Sequence, residues 1–500
     1  MLGLFKLRSS TPHAPAPPRV RSAHKGGFLR RLVVGTALRA GFDSAVTNDA
    51  NRRHWANADG LSADAAASPE VRRTLRNRAR YETANNAYAK GIVLTLANDV
   101  VGTGPRLQLL TEEDDANERI EQAFAAWARA VGLPEVLRTM RMARATDGEA
   151  FAVLINNPRL ATPVKLDVRL IEADQVTTPD LTLLDDSAVD GIVFDAFGNP
   201  VEYHVLKGHP GDTRTWGAGF LGLEYDRLPA ESVLHYFRVD RPGQSRGIPD
   251  ITPALPLFAQ LRRFTLAVLG AAETAADFAG ILYTDAPANG EAEAVEPMDA
   301  IELEARSLLT MPGGWKMAQV QAEQPSTTYA EFKREILNEI ARCLNMPFNV
   351  AACNSSGYNY ASGRLDHQTY FKSIRVEQEH LACVVLDRLL HAWLREAVLV
   401  TDLLPLRVRT LVATGQGLPH QWFWDGNEHV DPAKEATAQA TRLASHTTTL
   451  AAEYAKQGRD WENELRQRAK EVSLLKELGL APERDEPLAP VGTGKEDDDA

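Results

Sequence analysis

The chain has 500 residues, 44% of them hydrophobic and 24% charged, which allows roughly two or three domains and a sizeable core. A net charge of −12 excludes a coat held on nucleic acid by bulk positive charge, while leaving room for a local basic patch. Cys343, Cys353 and Cys383 match no metal spacing and read as reduced thiols, and the most apolar run, 264–283, is broken by Glu273 and Asp277, so no membrane contact is expected.

Residues 1–60 are proline-rich and basic, a flexible arm with a short helix expected near 28–38; the opening apolar run is too short for a signal peptide. Ser68 and Pro69 form a helix start, and the helix that follows carries Arg72, Arg73, Arg76, Arg78 and Arg80. That arginine face is read two ways: as a contact to phosphate or a partner's acids, or as a solvated face with internal ion pairs. A second helix, 87–99, ends at Gly102, Gly104 and Pro105. Helices are expected at 112–130, with Ile120, Phe124 and Trp127 inward, and at 133–145. Strands follow at 151–155, 164–171, 191–194, 201–206 and 233–237. Residues 68–245 thus read as helices followed by a mostly antiparallel sheet.

The loop 238–249 packs Arg238, Arg241 and Arg246 among Pro242, Gly243, Gly247 and Pro249, a shaped connector rather than a slack one. Beyond it, Leu257, Leu261, Phe264, Val268, Ala272, Ala275 and Ala279 recur at helical spacing, bulky first and small later. Such a helix suits either close packing in a ring or the core of a monomer. Residues 285–304 are acidic, and 307–311 with 315–320 flank Pro312-Gly-Gly314 as a hairpin. The stretch reads as a docking knob or a solvated loop. Thr328 and Glu331 fit a capping box for a helix ending near Pro347. The polar, aromatic loop to Gly363 is free of acids, so it can brush a phosphate backbone or simply lie on the surface. A long helix is expected over 365–398, then further helices to about 478 and an acidic tail.

Recognisable catalytic machinery is missing from this pattern. Val491-Gly-Thr-Gly-Lys495 lacks the first glycine of a phosphate loop, and Pro105 spoils Val101-Gly-Thr-Gly104. His235, His367 and His391 stand singly and read as structural. The rival reading is a metal-dependent DNA-processing enzyme with Asp147, Glu149 and Asp167 around an ion; another is a minor head protein without a channel.

Three groups of residues resemble the lambda type of tailed-phage portal protein, in the same order and over about 42–480. They are Leu75-Arg-Asn-Arg-Ala-Arg80 with Asn85-Asn-Ala-Tyr-Ala-Lys-Gly91 and Asn98-Asp-Val-Val-Gly-Thr-Gly104; Arg241-Pro-Gly-Gln-Ser-Arg-Gly247-Ile-Pro249; and Tyr358-Asn-Tyr-Ala-Ser-Gly-Arg364 with Asp431-Pro-Ala-Lys-Glu435 and Gly458-Arg-Asp-Trp461. Ala87 and Gly363 are mild departures from the family pattern.

The resemblance implies an α+β, mainly α portal fold and a ring of about twelve copies around a DNA channel. It assigns 61–250 to a wing, 251–282 and 328–346 to paired stem helices, and 283–327 to a clip. It assigns 347–363 to a tunnel loop, 364–480 to wing and crown helices, and 481–500 to a disordered acidic tail. It implies that Asn354, Ser355, Tyr358, Asn359, Tyr360 and Arg364 face DNA. Glu291, Glu293, Glu296, Asp299 and Glu302 would face the terminase or an adaptor, and Arg238, Arg241 and Arg246 would pair at the wing–stem elbow or between subunits. Implied partners are further copies, the terminase large subunit, capsid and scaffold proteins, a head–tail adaptor and double-stranded DNA, with no cofactor and no metal. The expected location is the portal vertex of the virion, after assembly in the host cytoplasm.

Overall fold

The computed structural model describes residues 47, 49, 51–178, 188–212, 224–276, 280–284, 315–319, 326–426 and 432–480. Residues 1–61 form one unit and 62–500 another. The expected helix at 28–38, the acids of 285–304 and the tail lie outside the described residues.

After a short helix α1 (Ala63–Ala66), Ser68 caps α2 (Pro69–Asn85) by accepting from the Val71 amide, with Pro69 in the first turn as expected. Asn86 ends α2 and caps α3 (Ala87–Val101) by accepting from the Tyr88 and Ala89 amides. Strand β1 (Arg106–Leu109) leads to α4 (Asp114–Ala130) and α5 (Leu133–Asp147). Strands β2 (Glu149–Asn156), β3 (Leu166–Ile171), β4 (Ala188–Val189), β5 (Ile192–Phe194), β6 (Pro200–Leu206), β7 (Tyr225–Pro229) and β8 (Val233–Phe237) follow. They form two antiparallel sheets, ordered β3-β2-β8 and β4-β5-β6-β7. The first residue of β2, Glu149, is fully buried; reading the strand from Phe151 missed it because a lone carboxylate is a poor strand signal.

Helices α6 (Leu255–Ala276) and α7 (Ser326–Arg342) pack together through Phe264, whose ring lies 5.6 Å from Tyr329 and 4.8 Å from Phe332. Between them, β9 (Gly280–Thr284) pairs antiparallel with β10 (Trp315–Gln319). The expected partner of β10, 307–311, is outside the described residues.

A short α8 (Phe348–Ala351) precedes α9 (Tyr360–Leu381), which starts five residues earlier than the sequence suggests because Asn359 accepts from the Ser362 amide at 2.8 Å. A π-turn at Ala382–Leu386 joins α9 to α10 (Asp387–Ala397). Helix α11 (Leu406–Ala413), strand β11 (His420–Phe423) and helices α12 (Pro432–Ala444), α13 (Leu450–Lys456) and α14 (Trp461–Glu477) are the last elements among the described residues.

One core ties the early and late segments together. Strand β1 pairs with β11, Arg106 opposite Phe423 and Leu109 opposite His420. Phe124 lies 5.1 Å from Trp127, 5.4 Å from Trp393 and 5.8 Å from Trp422, an aromatic cluster drawn from α4, α10 and β11. The indole of Trp127 donates to the Leu166 carbonyl at 2.7 Å. On α9, Tyr370, Ile374 and Leu381 are buried; Tyr370 donates to Asp99 at 2.7 Å and Gln378 to the Val100 carbonyl at 3.0 Å. The sheet module therefore stands on helices from both ends of the sequence. Among the described residues no helix is long and apolar enough to cross a membrane.

Candidate functional site: a buried charge centre around Glu149 and an exposed loop beyond it

The loop 238–249 is held open in a fixed shape by its own side chains. Gln244 accepts from the Asp240 and Arg241 amides at 2.9 and 3.2 Å and donates to the Arg246 carbonyl at 2.8 Å. Ser245 donates twice to Asp64, each bond 2.8 Å. Gly247 faces Gly148 so closely that a Cβ on either would strike the backbone of the other segment, which is why both must be glycine.

This approach delivers Arg246 into the protein. Its guanidinium is 1% exposed and forks onto Glu149, with bonds of 2.9 and 2.6 Å, while also reaching the Val176 carbonyl at 3.1 Å and Asp190 at 3.2 Å. Glu149 further accepts from the Gly247 amide at 3.0 Å, from Arg76 at 3.3 Å and from His235 at 3.1 Å. Burial alone pushes the Glu149 carboxyl up, but Arg246 and the His235 bond hold it well below the usual range. Burial lowers the His235 pKa against the pull of Glu149, and its ring is stacked between Phe151 and Phe237 at 4.2 and 4.3 Å. Both Glu149 oxygens are taken up by the guanidinium groups of Arg246 and Arg76, the Gly247 amide and the His235 ring, so the centre is a brace rather than a base.

The arginine face of α2 belongs to the same centre. Arg72, Arg76 and Arg80 sit at four-residue spacing and so share one side of the helix. Arg72 pairs with Asp190, Arg76 with Asp174 at 2.7 Å, and Arg80 with Asp147 at 2.7 Å, Asp174 at 2.9 Å and Glu172 at 3.0 Å. Of the two readings, internal pairing holds for these three, but the face is turned inward rather than solvated. Arg73 and Arg78 remain exposed.

Two expectations change here. Arg246 is not available to a neighbouring subunit, because its fork is filled inside its own chain. The acids of the metal reading are not gathered on one point: Asp147 is held by Arg80, Glu149 by Arg246, and Asp167 accepts from Asn157 at 2.7 Å. Among the described residues, Glu172, Asp174 and His209 are the one group with metal-ligand spacing, and Arg76 and Arg80 already neutralise its acids.

A second buried centre lies at the base of α6. Arg141 pairs with Asp250 at 2.9 Å; Arg144 pairs with Glu377 of α9 at 2.7 Å and bonds the Tyr236 hydroxyl at 2.8 Å. Arg238 pairs with Asp240 at 2.6 Å and Asp250 at 3.1 Å. Arg241 is exposed at the tip of the loop. The loop and Asp250, just ahead of α6, thus tie into α5, which pairs in turn with Glu377 of α9, a junction that local sequence pattern does not announce.

The loop 353–359 is the opposite kind of surface. Cys353 at φ +50° and Gly357 at φ +90° turn it sharply, and Ser356 donates its amide to Asn354 at 2.9 Å. Asn354, Ser355 and Asn359 are exposed and Tyr358 half-buried. Tyr360 opens α9, its side chain outside the described residues, and Arg364 is exposed on the first turns of the helix. A groove of about 1520 Å³ opens beside the loop, its lining including Ser355, Tyr358, Arg364 and Arg375 with Trp422 and Trp424. Asn349 and His367, 2.9 Å apart, also line it. Glu291, Glu293, Glu296, Asp299 and Glu302, expected to face a terminase or adaptor, lie outside the described residues. All three cysteines are free thiols.

Residues 49–378 match the sequence family described as "Phage portal protein, lambda family". A probable portal protein of Halomonas phage phiHAP-1 is 26% identical over 434 residues, covering 81% of each chain. Portal protein B of Escherichia phage lambda is 20% identical over 487 residues, 86% of this chain and 89% of that one. Among solved structures, a chain from the neck of a native gene transfer agent particle, computed with C12 symmetry, aligns over 78% of this chain and 92% of its own at 13% identity and a TM-score of 0.45.

Proposed function

This chain belongs to the lambda family of phage portal proteins, and from that premise we propose that about twelve copies close into a ring around a DNA channel at one vertex of the capsid. The family match across 49–378 carries the reading, because it spans the helical module, the elbow and nearly all of α9. In this reading α6 and α7 are the stem, and the segment between them, with Glu291, Glu293, Glu296, Asp299 and Glu302, is the clip that meets the terminase large subunit or a head–tail adaptor.

The loop 353–359 with Tyr360 and Arg364 faces the DNA. What supports this is chemical: the loop is exposed, turned by Gly357 and free of acids, in a chain whose net charge is −12. An acidic channel lets DNA slide, and a neutral-to-basic loop makes weak contact with it, without sequence specificity. The protein nucleates procapsid assembly with capsid and scaffold proteins, and ATP hydrolysis belongs to the terminase. It is assembled in the host cytoplasm and resides at the portal vertex of the virion.

Negative-stain images of the purified full chain test the reading directly. Rings with a central hole are expected. A monodisperse particle without a hole, or divalent-metal-dependent cleavage of DNA by the purified chain, sinks it.

A further inference from the structure

One wall of the groove beside the loop 353–359 is a single face of α9. Arg364, His367, Gln368, Phe371, Arg375 and Gln378 recur at three- and four-residue steps, so the helix lines the groove over most of its length. The charges there are unequally answered. Asp99 accepts from Tyr370 at 2.7 Å, Asp425 accepts from the Thr103 hydroxyl at 2.7 Å, and Glu435 pairs with Arg442 at 2.7 Å. Lys456 pairs with Glu453 at 2.7 Å, and Glu379 has the Cys383 thiol at 3.6 Å. Arg364 and Arg375 are exposed and make no hydrogen bond or ion pair among the described residues. They stand about 17 Å apart along the helix, and Phe371, Trp422 and Trp424 share the groove with them. That describes a ligand with negative charge at two points and apolar groups between.

The chain carries such a segment of its own. Residues 481–500, outside the described residues, hold Glu483, Asp485 and Glu486, then Pro487, Leu488, Pro490 and Val491, then Glu496, Asp497, Asp498 and Asp499. Arg484 and Lys495 are the only bases among them. Glu486 to Glu496 spans up to roughly 33 Å, ample for the separation of the two arginines. Prolines suit an aromatic-lined groove, because a stiff segment loses little freedom on docking. Reach is sufficient as well. Helix α14 is about 26 Å long, and the chain from Leu480 to Glu496 spans up to roughly 53 Å. Ala455 and Lys456, just ahead of α14, already line the groove, so the tail can double back along the whole helix to reach it.

We propose that residues 481–500 occupy this groove of their own chain, with their acids on Arg364 and Arg375 and their prolines over Trp422 and Trp424. The docked tail covers the cations next to the loop 353–359 and so competes with any polyanion for them. That consequence rests on the DNA-facing reading above; the docking does not.

A synthetic peptide of residues 481–500, titrated into a chain shortened to end at Leu480, tests the docking. Occupancy by the chain's own tail needs only a Kd below the effective concentration of a short tether, about 1 mM. Binding below that value is expected by fluorescence anisotropy. Arg364→Ala or Arg375→Ala should weaken it at least about tenfold, and the full chain, its groove filled, should bind the peptide more weakly by a similar factor. The full chain carrying Glu496→Gln, Asp497→Asn, Asp498→Asn and Asp499→Asn should take up the peptide as the shortened chain does, which serves if the shortened chain misfolds. No binding at about 1 mM overturns the docking. So does binding that ignores both arginines, or equal binding to the shortened and full chains, which leaves the groove open to DNA or another protein. A short DNA duplex at low salt reads the consequence separately, and should bind the shortened chain more tightly than the full one. Equal binding to both overturns the competition; a duplex that binds neither refutes the DNA-facing loop and leaves the docking standing.

Discussion

Replacing Arg246 by alanine should damage the fold before it touches assembly. The side chain is 1% exposed, and its removal leaves Glu149, itself 0% exposed, with Arg76 at 3.3 Å as the remaining cation. Breaking a buried pair on one side typically costs about 3–5 kcal/mol, most of it the unpaired charge left behind. Equilibrium urea unfolding, followed through the buried Trp127 and Trp393, measures this. Arg241→Ala, at an exposed position three residues past Arg238, should shift stability by no more than about 0.5 kcal/mol. The double change Arg246→Met with Glu149→Leu removes both charges and should recover more than half of the loss. Linkage sets the pH signature. Because the Glu149 carboxyl is held below its ordinary value of 4.5, the stability it contributes is fully present above that value and is lost as pH falls through the lower folded value. The gap between wild type and Arg246→Ala should therefore narrow in acid, first below pH 6.5, where the variant's His235 is freed of the Arg246 charge that helps to lower it, and further as pH falls through the Glu149 value. A variant within about 1 kcal/mol of wild type that nonetheless fails to form rings would refute the reasoning and return Arg246 to the subunit interface.

Glu121 works in the other direction. Burial raises its carboxyl to about 7, helped by Asp460, Glu118 and Glu462 and opposed by the Leu109 amide bond. The folded state thus binds a proton that the unfolded state releases between pH 4.5 and 7, and wild type loses stability as pH rises through that window. Since the group is only half-buried, Glu121→Gln should gain about 1 kcal/mol at pH 8 after allowance for solvent screening, and nothing at pH 4; a gain equal at both pH values counts against it. Deleting 354–358 keeps the Asn359 cap and should leave rings intact while packaging or DNA retention falls, so a normal phage titre contradicts a DNA-facing role. Gly247→Ala drives a methyl into the Gly148 carbonyl and should cost more than about 2 kcal/mol by thermal unfolding, whereas Gly357→Ala, with open space around it, should cost about 1.

Local signals carried the helices and their order. Ser68 and Pro69, Asn86, and the apolar spacing of Ile120, Phe124 and Trp127 each act within a few residues, and the structure follows them closely. Asn359 is a local signal of the same kind, hidden because Gly363 four residues later reads as loop; the cap outweighs a single glycine in a helix's first turn. Strands β1 and β11 were illegible for a different reason. Each is four residues long, and each is stabilised by a partner more than three hundred residues away. The charge centres are the extreme case. Arg72, Arg76 and Arg80 are separated by 118, 98 and 67 residues from Asp190, Asp174 and Asp147, and no spacing rule reaches that far. Their four-residue repeat still held usable information, because a solvated face has no reason to line up arginine at every turn while Arg73 and Arg78 alternate outside it. A basic stripe at strict helical spacing, in a chain with an acidic excess, is better read as the inward half of a network whose acids lie elsewhere. The elbow follows from that: Arg246 closes the network from its far side, so the turn that most resembles a binding loop in sequence is the one whose central cation is least available to bind anything.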